Sequence, residues 1–413
     1  MSVRFSTISC GTLFVSPTAT ATAPPTRAAR SSTSSPRPAA NPSPRRTNSE
    51  SIAGFADVTY EVVDSLFLTG GVRYTNDKLS VFHSRTSSNT PNSAPGIQAN
   101  FDQGVYDEYV RQIALGVSPS AATTAGVAKS NGVPFRTKTS NDNVSGKAAL
   151  QYDFSDDVMG YVSYARGYKG PAYNVFYNLT PTGTNVIEPE TSDSFEVGLK
   201  NTFLDGKMTF NIAGFYAKYK NFQANNPDLV AGVVVTRFTN AGSVSTTGVE
   251  MDLNYRPTRN TTIAGGLAIT DAHVVQFNAA PGAAATDIIP TGTKLGYAPT
   301  WKGSLSVEQR IPTGGFADLV LGSTMNYQSE QLSLFAPNAV QRQLGTIPAY
   351  ALVNASVALV DPNDAWKVSF IVRNLFDKSY AAAIINGGVS GSYRYQIPRD
   401  ADRYWGVTGR FNF

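Results

Sequence analysis

The chain has 413 residues, of which 41% are hydrophobic and only 15% are charged, and its single cysteine, Cys10, excludes an internal disulfide framework. The formal net charge of +4 comes from the first 50 residues, which hold six arginines and one acid, Glu50, and so carry +5, leaving −1 for residues 51–413. Residues 51–413 therefore lack the positive net charge that would favour nucleic-acid binding.

Residues 1–50 differ in composition from the rest of the chain. From Ser16 to Glu50 they are rich in Ser, Pro, Ala, Thr and Arg and show no periodicity. Such a segment cannot bury enough apolar surface to offset the entropy of ordering, so 1–50 is predicted to be a disordered low-complexity segment. Its arginine-without-lysine bias favours a non-native origin, such as a misread start. The alternative is a secretory signal, although Ser, Thr and Cys interrupt its apolar centre.

From Ser51 onward, apolar and polar residues alternate along short segments, a period of two that is typical of β-strands with two different faces. In the first of these segments, "IAGFADVTYEVV", Ala56, Val58 and Tyr60 share one face. Short turns such as "DG" alternate with long polar connections. Thirteen strands are predicted, at 52–64, 66–82, 143–154, 158–169, 193–204, 207–222, 233–256, 261–274, 299–311, 316–329, 348–360, 365–377 and 403–413.

The two faces of these strands favour a membrane environment. The polar face of each predicted strand carries too many charges and amides to lie in a dry protein core. Many apolar faces end in an aromatic residue, which suits the membrane–water interface: Tyr60, Tyr74, Tyr216, Tyr255, Trp301, Tyr327, Trp366 and Trp405. The sequence therefore predicts an all-β, antiparallel transmembrane β-barrel, with a soluble β-rich carbohydrate-binding module as the alternative.

Several stretches, taken in order, resemble the barrel of a TonB-dependent outer-membrane receptor. They include "LFLTGGVRYTNDK", "EPETSDSFEVGLKN", "TNAGSVSTTGVEMDLNYRP", "VRNLFDKSY" and the terminal "GRFNF", and they extend over residues 51–413. The resemblance implies a receptor in the cell outer membrane of a Gram-negative bacterium, surrounded by lipid. It also implies uptake of a scarce nutrient, such as an iron–siderophore complex, with energy relayed by TonB, and a barrel of about 22 strands around an N-terminal plug.

The chain departs from that pattern in residues 1–50, which resemble neither a plug nor the short box that contacts TonB. About nine strands are also missing, so 51–413 is predicted to be the C-terminal part of a truncated receptor barrel, with about 13 of 22 strands. An odd number of antiparallel strands cannot close in the even-numbered pattern of bacterial barrels. We therefore expect an incomplete, curved sheet with two free edges. The alternative function is a passive porin-like or adhesin-like barrel without energy coupling.

Candidate ligand contacts are the arginines on polar faces, which could attract an anionic ligand: Arg73, Arg373 and Arg410. The competing interpretation is that these arginines pair with acids of the barrel wall: Asp57, Glu61 and Glu250. The nutrient itself is not predicted.

The last strand also receives a role from the resemblance. A terminal phenylalanine resembles the signal read by the outer-membrane assembly machinery, so Phe413 is expected to carry that signal. Trp405 and Phe411 lie on the same predicted face of the strand. The assembly machinery is therefore an expected partner.

No metal site, cofactor or catalytic activity is predicted. The two histidines, His83 and His273, are far apart in sequence, and Cys10 is remote from both, so the convergent ligands of a metal site are lacking. No Walker loop, G-x-G-x-x-G motif or Ser/His/acid order stands out. The sequence therefore predicts a protein that is not an enzyme.

Overall fold

The computed structural model describes residues 45–83, 111–118, 121, 135–173, 186–230, 233–278, 288–386, 392–399 and 401–412. Within them, thirteen strands form one sheet in which every strand pairs antiparallel with its neighbours in chain order, which confirms the predicted number of strands. The strands are β1 (Arg45–Val63), β2 (Leu66–His83), β3 (Phe135–Ser155), β4 (Val158–Lys169), β5 (Glu190–Phe203), β6 (Met208–Lys220), β7 (Gly242–Thr258), β8 (Thr261–Phe277), β9 (Trp301–Ile311), β10 (Asp318–Gln328), β11 (Tyr350–Val360), β12 (Trp366–Arg373) and β13 (Tyr404–Phe411).

Short and long connections alternate, so the sheet has a short-connection end and a long-connection end. Two to six residues join the strands within the pairs β1–β2, β3–β4, β5–β6, β7–β8, β9–β10 and β11–β12, whereas 20 to 51 residues join one pair to the next. In the β5–β6 turn, Asp205 and Gly206 have φ angles of 54° and 79°, as an Asp-Gly hairpin turn requires.

The long connections contain regular structure of their own. Four two-stranded pairs and a short helix, α1 (Ala339–Leu344), lie in them, and residues 111–114 are helical. The pairs are Ala172–Tyr173 with Val186–Ile187, Gln223–Val230 with Val233–Asn240, Gln331–Leu332 with Thr346–Ile347, and Ala383–Asn386 with Tyr393–Gln396.

Three strands begin more than five residues from the predicted position, and one of them is β3, which begins at Phe135 and not at 143. β1 begins at Arg45, so residues 45–50 of the predicted low-complexity segment pair with β2, while 1–44 lie outside the described residues. The predicted strand 233–256 is wrong as a single element, because it divides into Val233–Asn240 and β7. The division occurs beside Gly242, whose φ of 113° favours glycine and where a Cβ would clash with the Gln276 carbonyl oxygen.

The sheet has an apolar face and a polar face, as the alternation predicts. On the apolar face, large side chains remain exposed on strand after strand, among them Val58, Val72, Val162, Val197, Leu305, Met325, Val357 and Phe370. A continuous exposed surface of this kind is unlike that of a soluble monomer and suits contact with lipid.

The polar face carries ion pairs and hydrogen bonds between strands. Asp57 on β1 and Lys147 on β3 form an ion pair of 2.9 Å across β2. They meet above Gly71, where any Cβ would lie 2.6 Å from the Asp57 carboxylate. Further along, Asn211 donates to Asp252 at 3.1 Å. These four side chains thus pair across strands on an open surface and not in a dry core.

The most deeply buried apolar side chains lie at the long-connection end. Ile187, Ile347 and Ile384 lie in the connections, and Val274 lies near the end of β8, each less than 2% exposed. The tightest packing is therefore among the connections and not between layers of the sheet. In the described parts of the chain, no helix has the length and apolar character needed to span a bilayer.

Among the described residues, the outer edges of β1 and β13 have no strand partner. Because thirteen antiparallel strands separate these edges, β1 and β13 run in the same direction. Self-closure would bring two parallel strands together, whereas bacterial barrels are antiparallel throughout. The sheet is the incomplete barrel that the sequence predicts.

Candidate functional site on the polar face

Four hydrophilic side chains align across the polar face of β9 to β12. Ser306 pairs in register with Thr324, and Thr324 with Asn354. Arg373 follows at the end of β12, and all four line one concavity together with Glu308. Arg373 is exposed and has no hydrogen-bond or ion-pair partner among the described residues. Its guanidinium is therefore available to an anionic ligand.

Asn374 ends β12 and fixes the direction of the chain beyond Arg373. Its φ of 48° is left-handed, a conformation in which asparagine is enriched. Its side chain donates to the carbonyls of Lys378 (3.1 Å) and Ala401 (2.6 Å) and accepts from the Lys378 N–H (2.9 Å). Its own N–H donates to Asn354 Oδ1 at 3.0 Å. The stretch "VRNLFDKSY" is thus a structural turn that holds Arg373 beside Asn354.

Replacing this asparagine separates its two contributions. We expect Asn374→Ala to lower the free energy of unfolding by about 2–3 kcal/mol, because it removes buried hydrogen bonds and places alanine in a left-handed conformation. Asn374→Gly loses the same hydrogen bonds without the backbone strain, so it should be about 1 kcal/mol more stable than the alanine variant. Urea titration in lipid vesicles, followed by tryptophan fluorescence, measures both. Equal stability of the two variants would contradict the assigned backbone role.

The other two predicted arginines lie elsewhere on the polar face. Arg73 on β2 donates from Nε to Thr75 Oγ1 at 3.2 Å, and its guanidinium carbon lies 5.7 Å from the centroid of the Phe55 ring. Arg410 lies near the short-connection end of β13, where its Nε donates to Asn412 Oδ1 at 3.1 Å. The three arginines therefore do not form one cluster, and of the three it is Arg373 that lines the concavity.

The acids named as alternative partners are engaged elsewhere. Asp57 pairs with Lys147, and Glu61 accepts from the Ser65 N–H at 3.4 Å. Glu250 stands in register between Ala213 and Ala268. Within the described residues, the arginine–acid pairs of the competing interpretation are not observed.

A second polar-face cluster, which the sequence did not reveal, lies on β4 and β5. Tyr161 donates to Glu196 at 2.5 Å, and Lys200 Nζ lies 5.8 Å from the centroid of the Tyr161 ring. The ring covers Gly198, where a Cβ would lie 2.6 Å from it. Cross-strand contact of an aromatic ring with a glycine depends on register, and the sequence pattern alone does not fix register.

The long connections meet above the sheet in a second feature that the sequence did not predict. Tyr297 and Ser333 share a hydrogen bond of 2.8 Å, and Ser333 Oγ also bonds the backbone N–H and C=O of Ile384, both at 2.8 Å. The rings of Tyr350 and Tyr380 stack with centroids 4.6 Å apart. Three connections are thereby joined into one packed cap beside the concavity.

His273 takes part in a hydrogen-bonded chain of three side chains on the apolar face. Its Nε2 lies 3.2 Å from Ser245 Oγ, and its Nδ1 lies 3.0 Å from Asp271 Oδ2. Ser245 is only 4% exposed and sits on a strand paired on both sides, so its surroundings offer no free pair of N–H groups for an oxyanion. The arrangement is a structural link between strands. Among the described residues, no group of His, Cys, Asp and Glu side chains is arranged to hold a metal ion.

The last strand places Trp405 and Phe411 on the apolar face. Trp405 is 74% exposed and Phe411 64% exposed, and Trp405 contacts the Phe370 ring edge-on. Phe413 lies outside the described residues. A role for these three residues in outer-membrane assembly stays a prediction.

Comparison with known proteins identifies the fold. The family model described as "TonB dependent receptor-like, beta-barrel" matches residues 15–375, which is most of the chain. The chain belongs to the TonB-dependent receptor family. As in other members, the sheet belongs to the outer membrane of a Gram-negative cell.

Relatives and solved structures agree with this assignment. The ferric-pyoverdine 358 receptor of Pseudomonas putida is 27% identical over 270 residues, covering 64% of this chain and 29% of the relative. The pesticin receptor of Yersinia pestis is 26% identical over 214 residues, covering 51% and 24%. The crystal structure of the ferric yersiniabactin uptake receptor from Yersinia pestis superposes with a TM-score of 0.65 at 21% identity, covering 90% of this chain and 47% of that one.

These matches cover less than a third of the length of the curated relatives. Both relatives are named as receptors. In TonB-dependent receptors the long connections are extracellular, so the concavity with Arg373 opens beneath the extracellular cap.

Beyond the lipid band, at the outer surface, hydrogen bonds from Tyr74 (2.6 Å) and Asn76 (2.7 Å) lower the pKa of the Asp142 carboxyl.

Proposed function

We propose that the chain supplies part of the barrel wall of a TonB-dependent uptake receptor whose ligand is a negatively charged metal–siderophore complex. The observation that carries the ligand class is the unpartnered guanidinium of Arg373 in a polar concavity. Relatives named ferric-pyoverdine receptor and metal-pseudopaline receptor support a metal chelate. A guanidinium among hydroxyl and amide groups suits the anionic oxygens of such a complex.

Energy coupling belongs to the receptor as a whole. TonB is the expected partner of the complete receptor, and the family match favours this function over a passive porin-like or adhesin-like barrel. If the receptor interpretation is correct, the chain alone, reconstituted in planar bilayers, should show no TonB-driven uptake of a ligand. Steady ion conductance, independent of any metal chelate, would favour the passive barrel.

Ligand binding is tested with two iron complexes of different charge. The full chain, folded in detergent micelles, is titrated with an anionic ferric tris-catecholate and with a neutral ferric tris-hydroxamate, using tryptophan fluorescence quenching. We expect Arg373→Gln to weaken binding of the anionic complex about tenfold, because a hydrogen bond to a charged group is lost. Binding of the neutral complex should not change.

Arg410→Gln serves as the matched control, because it removes the same charge from the same face at the opposite end of the wall. It should leave both affinities unchanged. If Arg373→Gln weakens the two complexes equally, or weakens neither, the concavity does not select an anionic chelate and the proposed ligand class is wrong.

A further inference from the structure

Three tiers of side chains follow one another on the apolar face of β4, β5 and β6. The lowest consists of aliphatic residues, Val162 and Val197. Above it, Tyr164, Phe195 and Tyr216 stand in one cross-strand row, with the rings of Tyr164 and Phe195 5.0 Å apart. Aromatic residues in this position mark the boundary between hydrocarbon and headgroups.

The third tier, immediately above the aromatic row, is basic. Arg166 pairs in register with Asp193, and Asp193 with Lys218. Lys220 extends the same face one step further and reaches Asp193 as well. The row is flanked by uncharged residues, Gly146 on β3 and Ser245 on β7. Three cations therefore surround one carboxylate, which leaves a local excess of two positive charges at the level of the lipid headgroups.

The single carboxylate does not satisfy these cations. Arg166 Nη1 and Lys220 Nζ lie 3.6 Å and 3.7 Å from Asp193, longer than charge-assisted hydrogen bonds of about 2.7–2.9 Å. Tyr164 occupies Asp193 Oδ1 with a hydrogen bond of 2.8 Å. The side chains of Arg166 and Lys220 are 45% and 55% exposed, so both can turn toward a ligand beside the barrel.

We propose that Arg166, Lys218 and Lys220 bind the phosphate groups of an anionic lipid in the outer leaflet of the membrane. The aliphatic and aromatic tiers below would contact the acyl chains of the same molecule, which distinguishes a lipid from a free anion. Asp193 offsets one of the three positive charges and leaves two for the lipid phosphates. This site is on the outside of the barrel and does not depend on the proposed transport function.

The test uses the full chain in zwitterionic detergent micelles, with bis-phosphorylated lipid A as the probe and native mass spectrometry to count bound lipid. The triple variant Arg166→Gln, Lys218→Gln, Lys220→Gln should bind about 100-fold more weakly, since each cation near a lipid surface contributes about 1 kcal/mol. The matched control, Lys200→Gln, Lys302→Gln, Lys367→Gln, removes three charges from the polar face and should bind as the parent does.

A variant that is expected to tighten binding excludes misfolding as the cause of weaker binding. Asp193→Asn removes the competing carboxylate and should tighten binding about fivefold. Inorganic phosphate, added while the ionic strength is held constant, should not displace the lipid. Unchanged binding by the triple variant, equal losses in the control, or displacement by free phosphate would each overturn the lipid site.

Discussion

Leu305→Arg should destabilise the folded sheet by about 2–4 kcal/mol, whereas Ser304→Arg on the adjacent residue should cost about 1 kcal/mol or less. Leu305 lies in the middle of β9 on the apolar face and is 46% exposed, so the introduced guanidinium would enter hydrocarbon near the centre of the bilayer. Ser304 lines the polar concavity, where the same side chain meets water. The two variants thus introduce the same side chain at neighbouring positions on opposite faces of the sheet.

The measurement is the free energy of unfolding in phosphatidylcholine vesicles, from urea titration of tryptophan fluorescence. Circular dichroism of each variant before titration establishes that both have folded. Equal destabilisation of the two variants would contradict the assignment of the faces, because a soluble sheet would tolerate arginine at an exposed position on either side.

Arg310→Gln should lower the free energy of unfolding by about 2–4 kcal/mol, because Arg310 joins the β9–β10 and β11–β12 turns at the short-connection end. Its Nε bonds Asp318 Oδ2 at 2.8 Å and its Nη1 bonds Asp364 Oδ1 at 3.0 Å. The variant leaves Asp318, only 7% exposed, without its cation. Loss of one partner from a fully buried pair costs about 3–5 kcal/mol, and partial exposure of Arg310 reduces this value.

Arg310→Lys keeps the charge but not the planar fork, so it should recover part of the loss. Arg410→Gln, at the same end and bonded to Asn412, should change the free energy of unfolding by about 0.5 kcal/mol or less. Urea titration of the three variants under one condition gives the comparison. An effect of Arg310→Gln no larger than that of Arg410→Gln would show that the two turns are held by other contacts.

The sequence predicts the strands well because each membrane strand must carry one apolar and one polar face. Because of that constraint, apolar residues recur at every second position, as at Val249, Met251 and Leu253. Counting the segments with this period predicts the correct number of strands. The same period misled at 233–256, since a hairpin in a connection alternates like a membrane strand. Only the backbone at Gly242, pressed against Gln276 from the next strand, reveals the division.

The candidate site was less predictable, because its contacts depend on register between distant segments. Arg373 was identified from its residue type and face, but its proximity to Asn354 follows from the pairing of β11 with β12. Asn374 was part of a recognised stretch, yet its role depends on the Ala401 carbonyl, 27 positions away. Arg166 and Lys218 were not singled out at all, because a row across strands leaves no signal along one strand.

The central claim is that alternate side chains of each strand face lipid and water. A nitroxide scan of residues 353–359 on β11, in the full chain with Cys10→Ser and reconstituted in phosphatidylcholine vesicles, tests it most directly. We predict that labels at 353, 355, 357 and 359 collide mainly with oxygen dissolved in the bilayer, and that labels at 354 and 356 collide mainly with a water-soluble nickel chelate; Ala358 is left unlabelled because it is only 3% exposed. A scan in which both sets of positions are equally accessible to the nickel chelate would contradict the membrane-spanning sheet and, with it, the receptor function proposed for this chain.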